Sequence, residues 1–161
     1  MNEIVVGISD FKVSNNINDV LVTYALGSCI GVTIYDPVVK IGGLLHFMLP
    51  ESSIDIKKAS ENPAMFADTG IPLLFKNCYK FGADKKRMKV KVAGGASILD
   101  DSNFFRIGQK NITAMKKLFW KNNMLIGAED VGSDYNRTIY MHISSGKVFV
   151  KTAHNGMREL V

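Results

Sequence analysis

Two cysteines and three histidines are the residues of this 161-residue chain best suited to nucleophilic chemistry. The stretch Thr23-Tyr24-Ala25-Leu26-Gly27-Ser28-Cys29-Ile30-Gly31 sets a cysteine directly after Gly-Ser, between two apolar runs. Gly27 permits a tight or φ-positive turn, which would present the thiol at a strand end instead of burying it in a sheet. Backbone N–H groups near Ser28 and Cys29 would then be free to converge on one point, as an oxyanion requires. A thiol attacks as its thiolate, so a base within hydrogen-bond reach completes the chemistry. His46 is the best placed of the three. It lies inside the apolar run Gly42 to Leu49, where a strand has no packing use for an imidazole.

Each of these residues has a plainer reading. A cysteine in an apolar segment ordinarily packs as a small hydrophobe, and an isolated histidine is ordinarily a hydrogen-bonded core or rim residue. What lifts Cys29 and His46 above that reading is their combination with the Gly-Ser turn. Cys78, beside Phe75 and Tyr79 in a helical segment, reads as core. His142 sits in a terminal strand and His154 in the polar tail Ala153 to Gly156, and neither has a companion at metal-ligand spacing. Gly94-Gly95-Ala96-Ser97 follows a strand but lacks Walker-A spacing and its lysine, so it reads as a structural turn.

The elements that would position this pair follow from periodicity. Apolar runs predict strands over Ile4 to Ile8, Val20 to Leu26, Ile30 to Tyr35 and Ile41 to Met48, with Asp36-Pro37 as the turn before the last. If the last two pair antiparallel, Cys29 and His46 approach each other. Glu51 to Asn62 reads as a surface loop. A helical pattern spans about 64–81 and ends at Gly82, a C-cap residue. Pro72 should kink or restart it, with Thr69 as a new cap. Met88 to Ala93 alternates like a half-buried strand. A second main helix spans about 108–122, and strands follow at Met124 to Val131, Arg137 to Ile143 and Lys147 to Thr152, with a Ser145-Gly146 hairpin turn. Strands, helix, strand, helix, strands is the order of a single-domain α/β sandwich with mixed β-sheets, not of a doubly wound sheet.

Bulk composition narrows the function classes. With 47% hydrophobic and 22% charged residues, the chain is ordinary for a globular domain that needs no disulfide or metal to hold it. The cysteines form neither C-x-x-C nor zinc spacing. The N-terminus has no basic n-region, and no apolar stretch nears the roughly 20 residues of a membrane helix, so a reducing cytoplasm is the expected setting. The net charge of +5 suits an acidic partner. Its main cluster, Lys85-Lys86-Arg87 with Lys89 and Lys91, reads as a solvated loop, and nothing in the sequence supports nucleic-acid binding.

With those residues in view, the chain resembles the CheD family, the chemoreceptor glutamine deamidases of bacterial chemotaxis. Leu26-Gly27-Ser28-Cys29, Asp36-Pro37 and His46-Phe47-Met48-Leu49-Pro50 carry the likeness. Phe66-Ala67-Asp68, Lys91 to Ala96, Ile107-Gly108 with Asn111, and Ala128-Glu129-Asp130 extend it in order along nearly the whole chain. Gly70 with Pro72, in a helix that is regular in the family, and Gly132-Ser133, where Gly-Gly is common, depart from its pattern. The resemblance implies a three-layer α/β sandwich without cofactor or metal. It implies a catalytic set that falls on Cys29, His46 and Thr23, with Thr23 orienting His46. Ser28 and Gly27 would shape the substrate and oxyanion region.

Two partners are implied as well: the helical cytoplasmic part of a chemoreceptor and a CheC-type response-regulator phosphatase. The implied reaction is hydrolysis of a receptor glutamine side chain to glutamate through a cysteine thioester, and the same chemistry would open a glutamyl methyl ester. The alternatives are a cysteine amidohydrolase with another substrate, and a non-enzymatic adaptor that binds and regulates the phosphatase.

Overall fold

In a computed structural model described over residues 1–97 and 106–161, the chain begins with five strands: β1 (Asn2–Val5), β2 (Asp10–Ser14), β3 (Asp19–Leu26), β4 (Ile30–Asp36) and β5 (Ile41–Phe47). Helices α1 (Ile56–Glu61) and α2 (Ala67–Lys80), strand β6 (Lys89–Gly94) and helix α3 (Ile107–Lys121) follow. Strands β7 (Ile126–Val131), β8 (Arg137–His142), β9 (Val148–Thr152) and β10 (Gly156–Glu159) close it.

The strands form two mixed sheets, ordered β1-β3-β8-β9-β10 and β2-β5-β4-β6-β7. Pairing is parallel in β1–β3 and β6–β7 and antiparallel elsewhere. The second sheet is the middle layer. Its face toward the first sheet buries Tyr35, Leu44 and Ala93 against Leu21, Ile139 and Met141. Its other face buries Ile30, Val32, Leu45 and Phe47 against Ile71, Leu74 and Phe75 of α2 and Ile112 and Met115 of α3. The expected three-layer sandwich with two main helices is therefore present.

Burial on both faces explains why β4 and β5 read as continuous apolar runs; every residue in both is buried. The helices show the complementary pattern. Residues 67, 70, 71, 74, 75 and 78 of α2 are buried, a stripe at i, i+3, i+4 spacing that covers the sheet.

Several expectations need correction. The segment Glu51 to Asn62 is not a plain loop: it holds α1, capped by the Asp55 carboxylate accepting from the Lys58 N–H at 3.0 Å. Strands β2 and β10 were not visible as apolar runs because they are short, partly exposed edges. Pro72 does not restart α2, which is one element from Ala67 to Lys80. It stands in the second turn, where it removes one helical hydrogen bond and its ring crowds the carbonyl four residues back, yet the helix runs on. Thr69 is no cap; its hydroxyl donates to the Pro63 carbonyl at 2.6 Å. Gly82 does end the helix, at φ +108°, with its N–H on the Tyr79 carbonyl.

Arg87 is not part of a merely solvated cluster. Its Nε donates to both carboxylate oxygens of Asp36 at 3.0 and 3.1 Å, and the Asp36 side chain is fully buried. Burial alone would raise the Asp36 carboxyl, but Arg87 and the N–H groups of Asp84 and Val38 hold it down at about 2.

Candidate active site

The chain crosses from the first sheet to the second through Gly27-Ser28-Cys29, between β3 and β4. Cys29 is half-buried and packs against the apolar cluster between the two sheets. In the β4–β5 ladder Gly31 lies opposite His46. Cys29 stands two residues before Gly31, in the bend that leads into β4, and packs against the inter-sheet cluster. A Cβ on Gly31 would come within 3.1 Å of Leu26 and collide with Ile139, so this close approach of the sheets beside His46 requires glycine there.

His46 is 2% exposed. Its Nδ1 lies 2.7 Å from Thr23 Oγ1, and the same oxygen lies 2.7 Å from the Val6 carbonyl. The carbonyl can only accept, so the single hydroxyl proton is committed to Val6, and the proton between Thr23 and His46 must sit on Nδ1. That assignment leaves Nε2 with its lone pair. Nε2 is buried and has no hydrogen-bond partner among the described residues. The backbone of His46 is braced too, its carbonyl accepting from the Ser9 N–H at 2.9 Å. Thr23 faces His46 by the ordinary alternation of β3, in register opposite Ile139 of β8; the β3–β8 pairing shifts only beyond it, between Thr23 and Leu26, where Ala25 adopts φ +53°.

Electrostatics define the resting state. Burial lowers the His46 pKa to about 4 and raises that of the Cys29 thiol. At neutral pH the pair is therefore a thiol and a neutral imidazole, not a standing thiolate–imidazolium pair. The Cys29 thiolate, once formed, would accept from its own backbone N–H. Cys78 is fully buried, and burial pushes its thiol up to about 12.

The loop carrying Cys29 is held by three consecutive carbonyls. Gly27 accepts from the Ala96 N–H at 2.8 Å, Ser28 from Asn111 Nδ2 at 2.9 Å, and Cys29 from the Gly95 N–H at 2.9 Å. A trans peptide directs its N–H opposite its C=O. The N–H groups of Ser28 and Cys29 thus face away from this clamp, and neither donates a hydrogen bond among the described residues. Gly27 itself does not take a positive φ. The left-handed backbone lies across from it, at Gly94 (φ +119°) and Gly95 (φ +70°). A Cβ on Gly94 would sit 2.3 Å from the Cys29 carbonyl oxygen.

Of the residues the sequence singles out, Thr23 and His46 are in contact, and Cys29 shares their inter-sheet space. Ser28 and Gly27 contribute backbone. Sequence reasoning treated Gly94-Gly95 as a turn without linking it to Cys29, and from the residues alone did not single out Asn111. A signal was available: Asn111 is a polar residue on the apolar stripe of α3, among the buried positions 108, 112, 115 and 119. His142 packs edge-on against Phe149 at 5.4 Å. Among the described residues no group of three His, Cys, Asp or Glu is placed to hold a metal, and no helix is long and apolar enough to cross a membrane.

Known proteins resemble this chain along nearly its whole length. The family described as CheD chemotactic sensory transduction matches residues 48–152. That span begins just past His46, so the relatives matched over their length bear on the rest. A protein of Syntrophus aciditrophicus (strain SB) named "Probable chemoreceptor glutamine deamidase CheD 1" is 68% identical over 99% of this chain and 100% of its own. Proteins of Solibacter usitatus (strain Ellin6076) and Pyrococcus horikoshii (strain ATCC 700860 / DSM 12428 / JCM 9974 / NBRC 100139 / OT-3) carry the name "Probable chemoreceptor glutamine deamidase CheD". They are 46% and 42% identical, over 100% and 97% of this chain and 95% and 96% of their own. This chain belongs to the CheD family.

Proposed function

We propose that this protein is a cytoplasmic chemoreceptor glutamine deamidase acting as a single domain over residues 1–161, with Cys29 as nucleophile, His46 as general base and acid, and Thr23 as its orienting partner. The observation that carries the reading is the state of His46. Nδ1–H is tied to Thr23, Nε2 is unpartnered, and Cys29 lies on the same inter-sheet face. A strand has no structural use for such a nitrogen, since a buried polar atom without a partner carries a desolvation cost of about 1–3 kcal/mol.

In the reaction, Nε2 of His46 takes the Cys29 proton as sulfur attacks the side-chain amide carbon of a receptor glutamine. The resting pair is neutral, so proton transfer accompanies attack. The N–H groups of Ser28 and Cys29 receive the developing oxyanion. The imidazolium then gives its proton to the departing nitrogen, which leaves as ammonia and yields a thioester. Water attacks the thioester, passing a proton to Nε2, and the thiolate leaves and is reprotonated. Glutamine and water become glutamate and ammonia, with Cys29 and His46 restored. Gly27 shapes the turn. No cofactor takes part in this scheme.

Cys29 and His46 are not hydrogen-bonded to each other in this structure, and such bonds commonly tighten only in the substrate complex. The helical cytoplasmic region of a chemoreceptor is the proposed substrate surface, and a CheC-type phosphatase the second protein partner. Incubation with receptor cytoplasmic fragments, followed by site-resolved mass spectrometry, tests the reading. Deamidation adds about one mass unit per glutamine, and Cys29→Ala should abolish it with the fold intact. Turnover retained in Cys29→Ala would remove the thioester from the mechanism.

A further inference from the structure

The proposed reaction needs two backbone N–H groups at the nucleophile to point away from the protein interior, and a side chain in the third layer holds one of the two peptides concerned. Asn111, in the second turn of α3, is fully buried. Its Nδ2 donates at 2.9 Å to the Ser28 carbonyl and at 2.9 Å to the Met48 carbonyl. The first acceptor belongs to the peptide whose N–H is that of Cys29. The second lies two residues beyond His46. One planar amide therefore joins the nucleophile's turn to the strand that carries the base, across the seam between β4 and β5. Its position is fixed from behind: a Cβ on Gly108 would sit 2.5 Å from the carbonyl oxygens of Gly95 and Ala96, so the start of α3 is seated directly on the Gly95–Ala96 segment. That segment holds the carbonyls on either side, Gly27 and Cys29.

We propose that Asn111 is a positioning residue for the deamidation reaction, fixing the Ser28–Cys29 peptide so that the Cys29 N–H faces the oxyanion, and holding the Cys29 turn in register with His46. The inference rests on the function proposed above. Without the two donors, the Ser28 carbonyl is free to swing toward solvent. The peptide is rigid, so its N–H swings inward with it.

The experiment compares two reactions of the same sulfur. Deamidation develops an oxyanion; alkylation by iodoacetamide does not. Asn111→Leu keeps the branching of asparagine and removes both donors, and Asn111→Ser leaves room for water beside the two carbonyls. Ammonia release from a receptor cytoplasmic fragment gives kcat and KM, and the rate of Cys29 carbamidomethylation gives thiol reactivity. Loss of one oxyanion donor lowers kcat by about 10²–10³-fold. For Asn111→Leu we expect a kcat loss approaching that range, with KM and the alkylation rate each within about threefold of wild type. Asn111→Ser should recover part of kcat. Near-UV circular dichroism establishes the fold, and Asn111→Ser decides the matter if Asn111→Leu does not fold. Wild-type kcat in either folded variant would overturn the proposal, and so would equal losses in deamidation and alkylation, which mark a general loosening. Absence of turnover in the wild-type protein would instead overturn the function on which it rests.

Discussion

Thr23 Oγ1 stands 2.7 Å from Nδ1 of His46 and 2.7 Å from the Val6 carbonyl oxygen, so one hydroxyl fixes which nitrogen of the imidazole carries the proton. The link runs between layers: Thr23 and Val6 come from the first sheet and its following turn, His46 from the second. Thr23→Val keeps the shape and removes the hydroxyl. It leaves a buried N–H and a buried carbonyl without partners and frees the tautomer. We expect kcat to fall about fivefold, the equivalent of one hydrogen bond of roughly 1 kcal/mol, while Thr23→Ser retains most activity. His46→Ala should cost more, about 10²–10⁴-fold, because base and acid are both lost. Steady-state ammonia release from receptor fragments measures all three. Equal losses for Thr23→Val and His46→Ala, with folds retained, would give Thr23 more than an orienting role.

The two cysteines should separate sharply under alkylation. Cys29 is half-exposed, whereas Cys78 is fully buried with its thiol pushed up to about 12. Native protein treated with iodoacetamide should therefore label much faster at Cys29 than at Cys78, and at both residues in denaturant. Because burial raises the Cys29 thiol as well, its labelling rate should still be climbing above the ordinary thiol range. A plateau below pH 7, read by peptide mass spectrometry, would reveal a standing thiolate and contradict the neutral resting pair.

Much of this arrangement could be read from the residues, and the reasons for the remainder are specific. The β4 and β5 strands were legible because the middle layer is buried on both faces, which makes them unbroken apolar runs. His46 stood out against that background. Thr23 did not, because a threonine in a β-branched strand is unremarkable, and its role depends on Val6 and His46, 17 residues earlier and 23 later in the chain. Gly94-Gly95 looked like an ordinary turn, since its function is to approach Cys29, 65 residues earlier in the chain. Strands β2 and β10 escaped notice because edge strands with polar residues carry little periodicity. Pro72 suggested a break, yet α2 runs as one element from Ala67 to Lys80, packed along its buried stripe on the sheet.

Gly94 offers a test of the Cys29 clamp that does not touch the site's side chains. Gly94 and Gly132 both have positive φ, +119° and +83°, but a Cβ on Gly132 meets nothing within 4 Å, whereas on Gly94 it would overlap the Cys29 carbonyl. Both alanine variants carry backbone strain of about 1–2 kcal/mol. Only Gly94→Ala must also displace the nucleophile's turn. We expect Gly132→Ala to lose a little stability and keep its turnover, and Gly94→Ala to lose both. Urea midpoints and turnover for the pair decide this. Similar turnover in the two variants would mean that the clamp can move without consequence.

The buried imidazole also predicts how stability depends on acidity. His46 titrates at about 4 when folded, against 6.5 for an unperturbed histidine, because burial disfavours its charged form. Between those values the unfolded chain binds a proton that the folded protein refuses. The stabilisation is therefore complete above pH 6.5 and is lost progressively as the pH falls toward 4. A difference of that size corresponds to about 3 kcal/mol. Asp36 acts in a separate window: its carboxyl, held at about 2 against 3.8, contributes stability that is lost only as the pH drops below 3.8. His46→Asn retains an N–H donor toward Thr23 but cannot titrate. Urea denaturation from pH 7 to pH 4 should show wild type losing stability more steeply than His46→Asn, with the curves converging at the acidic end. Parallel curves across that range would mean that His46 is not held neutral by its surroundings, and the proton it is proposed to take from Cys29 would then have to go elsewhere.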